Sequence, residues 1–245
     1  MFSTNNKENS TSLSKVIAVF SLMILCVTTT NTTNAQTNGS TYLDFTGDGK
    51  TDWTVIAPVQ TQGQRYTLKI LGNQTGSAPS QPFIRIFDFG LAGIDVIYAA
   101  DYIGDRKTDL TAYRRGQPSI FYTAQFPIGT GGIQLERAVR WGAETDGSVQ
   151  GDYDGDGKMD YTVVRRNANN ALTWFILSSS TNVMRTVTFG NASLNSAVIG
   201  GADFTGDSKD ELIIISDVNG KFVYYIGDAV TGAWLLTFQW GLAGN

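Results

Sequence analysis

The chain contains no histidine, which removes the Ser-His-Asp and Cys-His arrangements of nucleophilic catalysis outright. It has one cysteine, Cys26, inside an apolar N-terminal run, so the remainder must be stabilised without disulfides. Without histidine or further cysteines, zinc and copper lose their preferred ligands. Positive charge is scarce: 18 basic residues face 22 acidic ones, for a net charge of −4. A nucleic-acid partner is therefore disfavoured, because phosphate binding wants an excess of positive charge on one face. The apolar run, VIAVFSLMILCV at residues 16 to 27, has 12 residues and is too short to span a bilayer comfortably, so an integral membrane protein is not expected. Beyond it, no segment keeps an apolar stripe at helical spacing.

What surrounds the run resembles an export signal. Lys7 and Lys15 precede it, and the polar stretch after it ends in Thr33-Asn34-Ala35, small where a signal peptidase would read. A secretory signal over residues 1–35 is expected, with residues 36–245 as the exported domain, extracellular, periplasmic or on the cell surface. An uncleaved amphipathic anchor is the competing reading. Leu25, before Cys26, is larger than the residue expected ahead of a lipidated cysteine. Removing Lys7, Glu8 and Lys15 leaves 16 basic and 21 acidic residues, a net charge of −5.

The rest of the chain repeats itself. An acidic nine-residue loop occurs four times, as DFTGDGKTD from Asp44, DYIGDRKTD from Asp101, DYDGDGKMD from Asp152 and DFTGDSKDE from Asp203, with starts 57, 51 and 51 residues apart. Two strand-like runs follow each loop, then a third that ends in an aromatic-glycine pair: Phe89-Gly90, Trp141-Gly142, Phe189-Gly190 and Trp240-Gly241. A fourth run precedes the next loop. Four strands per unit and 27 glycines at regular turns give an all-β, β-propeller-like array of four four-stranded repeats, roughly 41–90, 95–142, 146–190 and 196–241. The longer first spacing is taken up by a Gly/Ser/Pro/Gln-rich insertion, Gly72 to Pro82.

Carboxylates at loop positions 1, 3, 5 and 9 can converge on one hard cation. The Asp-x-Asp-x-Asp-Gly pattern is shared with the EF-hand, but that site needs a glutamate at position 12, where this chain has Val55, Ala112, Val163 and Ile214. Position 9 closes the site instead. The third loop is complete, with Asp152, Asp154, Asp156 and Asp160, the Lys158 carbonyl, and Gly157 to permit the sharp turn. The first has Asp44, Thr46, Asp48, Lys50 and Asp52. The fourth has Asp203, Thr205, Asp207, Lys209 and Glu211, with Ser208 where glycine is preferred. The second is poorest: Asp101, Asp105, Lys107 and Asp109 remain, but Ile103 cannot ligate and Arg106 occupies the turn. Calcium (Ca2+) is the expected ion, since magnesium demands tighter octahedral geometry. Ordinary Asx-type turns without metal are the competing reading, strongest for the second loop.

The loop DYDGDGKMDYTVVRR at 152 to 166, the aromatic-glycine pairs and the period of about 50 resemble the FG-GAP/VCBS repeats of bacterial exported proteins, which are similar to the calcium-binding blades of the integrin α-subunit head. The resemblance covers residues 41 to 245. It implies a β-propeller with calcium held between the first and second strands of a blade. It implies no shared activity. Relatives of that kind close about seven blades, whereas four units allow a closed ring, a homodimer completing a larger ring, or an incomplete solenoid.

Catalysis is not expected. Glu136 and Glu144 stand outside the loops with no identifiable partner acid. The expectation is a secreted, calcium-stabilised binding or adhesion module for an extracellular protein or glycan. A lectin is the alternative, with a hydrolase behind it. Trp141 and Trp240 share a repeat position with Phe89 and Phe189 and are read as core. Trp174 and Trp234 fall outside it and are the candidates for stacking on a ligand. Arg114-Arg115 and Arg165-Arg166 are read as surface charges that discourage sheet-to-sheet aggregation. If the leader is cleaved, N-terminal sequencing of protein recovered outside the cytoplasm should begin near Gln36, and recovery with Met1 intact would refute it.

Overall fold

A computed structural model describes residues 43–56, 62–71, 84–125, 134–192 and 196–243. Among them are 15 strands and no helix. The first sheet holds β1 (Trp53–Ile56), β2 (Arg65–Leu71) and β3 (Ile84–Leu91). The second holds β4 (Asp95–Ala100), β5 (Asp109–Arg114), β6 (Ile120–Gln125) and β7 (Gln134–Arg140). The third holds β8 (Gly147–Val149), β9 (Tyr161–Arg166), β10 (Ala171–Leu177) and β11 (Met184–Asn191), and the fourth β12 (Ser196–Gly200), β13 (Leu212–Val218), β14 (Lys221–Gly227) and β15 (Trp234–Leu242). Every sheet is an antiparallel meander in chain order, the blade of a β-propeller. Three blades have the four expected strands, and the first shows three among the described residues. The expected leader (1–35) and the insertion (72–82) lie outside the described residues.

The second, third and fourth acidic loops each connect the first and second strands of a blade, and the first loop leads into β1. Ala100 thus pairs with Asp109 across the second loop, and Val149 with Thr162 across the third. The β13–β14 hairpin has turn chemistry that matches its strands. Asn219 and Gly220 both take positive φ, 55° and 77°, and form the two-residue turn whose twist suits a right-handed hairpin, with Val218 paired to Lys221.

Alternation along the strands gives each blade two apolar faces, and consecutive blades stack front to back. Leu68, Ile70 and Phe89 of the first blade pack with Leu110 and Ala112 of the second. Tyr113 and Phe121 of the second pack with Tyr161 and Val163 of the third. Leu172, Trp174 and Ile176 of the third pack with Leu212 and Ile214 of the fourth. Each fully buried side chain of this size contributes about 1.5–3 kcal/mol, so these junctions carry most of the fold's stabilisation. The aromatic-glycine pair belongs to them. Trp141 donates its indole N–H to the Phe175 carbonyl of the next blade at 3.2 Å. At Gly190, with φ of 93°, an added Cβ would collide with Ile214 of the next blade.

The loops form a ladder above these cores. The N–H at loop position 8 donates to the position-1 carbonyl of the preceding loop: Thr108 to Asp44 at 2.7 Å, Met159 to Asp101 at 2.8 Å and Asp210 to Asp152 at 2.8 Å.

The first arginine of each pair is not the free surface charge expected from sequence. Arg114 grips Asp95 through two hydrogen bonds of 2.7 and 2.8 Å, and Arg165 grips Asp146 at the same distances. Both carboxylates are buried and also accept a backbone N–H from the previous blade, from Leu91 at the end of β3 for Asp95 and from Ala143 just after β7 for Asp146. Each pair is therefore a latch between consecutive blades, while Arg115 and Arg166 remain exposed. Burial opposes the charge on Asp146, but the Arg165 hydrogen bonds, the Ala143 N–H and the guanidinium charge outweigh it and hold its pKa below the ordinary carboxylate value. A lowered folded-state pKa gives stability that is present above the unfolded pKa of about 3.9 and is lost as pH falls through the folded value. Arg165→Ala should therefore cost about 2 kcal/mol at pH 7, discounted for the partial exposure of the guanidinium, against near zero for Arg166→Ala. Denaturant unfolding at pH 7 and pH 3 checks this: the gap between the two variants should shrink at the lower pH.

Candidate metal centres

The four loops share one backbone conformation, set by hydrogen bonds to their own carboxylates. The position-1 aspartate accepts the N–H groups of positions 4 and 6: Gly47 and Gly49 on Asp44, Gly104 and Arg106 on Asp101, Gly155 and Gly157 on Asp152, and Gly206 and Ser208 on Asp203. Position 5 accepts the N–H of the position-7 lysine, so Lys50, Lys107, Lys158 and Lys209 are held by their amides to Asp48, Asp105, Asp156 and Asp207. Position 6 takes a left-handed φ in every loop, including Arg106 at 65° and Ser208 at 71°, where a side chain costs roughly 1–2 kcal/mol that glycine avoids.

Three loops gather carboxylates. Asp44, Asp48 and Asp52 form one group, Asp152, Asp154 and Asp156 a second, and Asp203, Asp207 and Glu211 a third, each offering ligand oxygens within 4.8 Å of one another. Neutral oxygens stand beside two of them: the Thr46 hydroxyl bonds Asp44 at 3.3 Å, and the Thr205 hydroxyl bonds Glu211 at 2.9 Å. Among the described residues Asp101, Asp105 and Asp109 form no such group. There the Gln125 amide engages Asp105, and the Tyr102 and Ile103 amides donate to Asp109 at 2.8 and 3.0 Å.

In the third loop Asp160 lies beside the grouped three rather than among them. Its two oxygens accept the Tyr153 N–H at 3.1 Å and the Ser179 N–H at 3.0 Å, tying the loop to the turn after β10. Burial pushes Asp160 up to about 7, with the Asp154 charge adding to it, and pushes Asp152 up to about 6 despite the Gly157 and Gly155 amides that favour its charge. Asp109 likewise rises to about 7 through burial. Without a cation these loops hold carboxylates that resist ionising, and a bound divalent ion would relieve the resistance.

Two features were not read from the sequence. Asp210, at position 8 of the fourth loop, reaches the third loop and accepts the Asp152 N–H at 2.8 Å, placing one more carboxylate beside that site. Burial raises its pKa to about 6. Its only signal was an acid where the other loops carry Thr51, Thr108 and Met159. The glycine at position 4, present in all four loops, is where the next loop's lysine lies: a Cβ at Gly47 would meet Lys107, one at Gly104 would meet Lys158 and one at Gly155 would meet Lys209.

The tryptophan readings divide. Trp174 is fully buried, donates its N–H to the Phe189 carbonyl at 3.0 Å and stands edge-on to Tyr153, so it cannot stack on a ligand. It occupies an inner strand whose front is covered by the fourth blade. Trp234 is exposed, as expected, edge-to-face with Tyr225 at 5.5 Å. Trp240, read as core, is exposed, because its repeat position is covered by a following blade and none of the described residues supplies one. Glu144 is exposed and accepts a hydrogen bond from the Gln117 amide.

No protein-family model, curated protein or solved structure matches the chain. Ligand grouping therefore ranks the loops from geometry alone. Asp156→Ala should weaken calcium binding roughly tenfold, while Asp105→Ala should leave it nearly unchanged. Calorimetric titration of both variants decides between them, and equal losses would show that the grouping does not govern binding.

Proposed function

We propose that this chain is a secreted, calcium-stabilised β-propeller that serves as a non-catalytic binding or adhesion module for an extracellular protein or glycan. The observation that carries the reading is the gathering of three carboxylates within 4.8 Å in each of three loops, on backbones already bent by their own amides. Oxygen-only ligands and no histidine favour calcium over transition metals. The resemblance to FG-GAP/VCBS repeats points the same way. In this reading the ion neutralises the loops and stiffens the ladder that joins the blades, so the metal serves the scaffold and the ligand binds elsewhere.

A lectin is the second reading, favoured by one observation: Trp234, exposed and edge-to-face with Tyr225, presents a flat apolar face of the kind that stacks on sugar rings. A glycan array separates the two. Binding that disappears in Trp234→Ala supports the lectin, and an empty array leaves the protein-binding module.

Extracellular calcium modules bind at about 10⁻⁴ to 10⁻³ M, and calcium at roughly ten times its dissociation constant stabilises by about 1.4 kcal/mol per occupied site. With three sites filled, roughly 4 kcal/mol depends on the ion, a large share of a typical 5 to 15 kcal/mol total. Chelation should lower the thermal midpoint by several degrees, and calcium should restore it better than magnesium. An unfolding curve indifferent to chelator would make the loops ordinary turns.

A further inference from the structure

Each junction inside the chain is made by the same repeat positions. The front of a blade contributes the loop's position-2 aromatic and the aromatic of the aromatic-glycine pair, and the back of the next blade contributes positions 10 and 12. In front positions Phe45, Tyr102, Tyr153, Phe89 and Phe189 are buried and Trp141 is half-buried, but on the last blade Phe204 is 48% and Trp240 66% exposed. In back positions Leu110, Ala112, Tyr161, Val163, Leu212 and Ile214 are buried, but on the first blade Trp53 is 71% and Val55 59% exposed. The last blade's front cluster of Ile215, Phe222 and Tyr224, with Phe238 against it, draws on no other sheet.

The polar parts of the junction stop at the same two places. The position-1 carbonyls of Asp44, Asp101 and Asp152 each accept an N–H from the next loop, whereas among the described residues none reaches the carbonyl of Asp203. A lysine lies over Gly47, Gly104 and Gly155, and nothing lies within 4 Å of a Cβ placed on Gly206. The chain thus presents one unmade front and one unmade back of an interface it makes three times internally.

We infer that a second copy of this chain completes the junction, its first blade docking on the last blade of its partner, and that two copies close an eight-bladed ring. Eight blades lie within the range propellers reach. The contact is head-to-tail, and two identical contacts related by a two-fold axis close it. The Thr51 N–H meets the Asp203 carbonyl, Lys50 lies over Gly206, and Trp53 and Val55 cover Phe204 and Trp240. A front-to-front dimer is disfavoured because it sets the Asp203 carbonyls and the acidic fourth loops against each other. The head-to-tail contact instead brings Lys50 and the exposed Lys69, on the back of β2, toward Asp203, Asp207 and Glu211.

Light scattering on the exported chain in calcium-containing buffer tests the inference, with the expected result a mass twice that of one chain. Trp240→Glu and Trp53→Glu should each raise the dissociation constant at least about tenfold. Circular dichroism should be unchanged in both, since both side chains are exposed. Mixing the two variants should restore a two-chain species, because one keeps an intact back and the other an intact front. A single-chain mass at every concentration overturns the inference. So does a dimer abolished by Trp240→Glu and untouched by Trp53→Glu, which would be front-to-front, and so does open-ended growth with concentration, which would exclude the two-copy ring.

Discussion

The whole array rests on the junction between consecutive blades. A single meander of three or four short strands has two apolar faces and cannot bury either alone, so every blade depends on a neighbour in front and another behind. The chain repeats the junction as one unit: an aromatic from the acidic loop, an aromatic before glycine, two apolar residues on the strand after the next loop, and an amide of that loop closing onto the preceding carbonyl. Asp95 with Arg114 and Asp146 with Arg165 add a charged clasp to the first two junctions. In the fourth blade the same position is Ser216, and that junction relies on the largest apolar cluster, around Trp174.

The acidic loops are part of this construction. Their carboxylates are spent first on their own amides: position 1 organises the turn, position 5 holds the lysine amide and position 9 ties back to the loop's start. This explains why the loops share one conformation while differing in carboxylate grouping, since the hydrogen bonds need only positions 1, 5 and 9, which all four loops keep. Position 3 and the glycine at position 6, which vary, are what a cation would notice. In the third loop burial makes the charge of Asp152 and Asp160 costly, which is the physical reason to look for a counter-ion there.

Much of the architecture could be read from local pattern. The loop DYDGDGKMD, the strand alternation after it and the aromatic-glycine pair each act within a few residues, so the all-β, four-sheet architecture followed from spacing. Carboxylate grouping in the first, third and fourth loops also followed, because ligands within nine residues are placed by one turn, whereas Asp101, Asp105 and Asp109 of the second loop, read as ligands too, form no such group among the described residues. Contacts between blades were illegible for the opposite reason. Arg114 and Arg165 looked like surface charges because their aspartates stand 19 residues away. The Asp160 contact with Ser179, also 19 residues away, could not be inferred from the loop.

The tryptophans mark the boundary most clearly. Trp174 and Trp240 both lie in strands, and alternation determined which side of the sheet each occupies, but alternation says nothing about what faces that side. The fourth blade covers Trp174, and none of the described residues covers Trp240, so the residue read as exposed is buried and the one read as core is open. The sequence by itself determined the repeat, the strands and the acidic loops between them, because these are local. Only the tertiary structure decided which faces are covered among the described residues and which charges are paired, because burial depends on the neighbouring blade rather than on the residue's own strand.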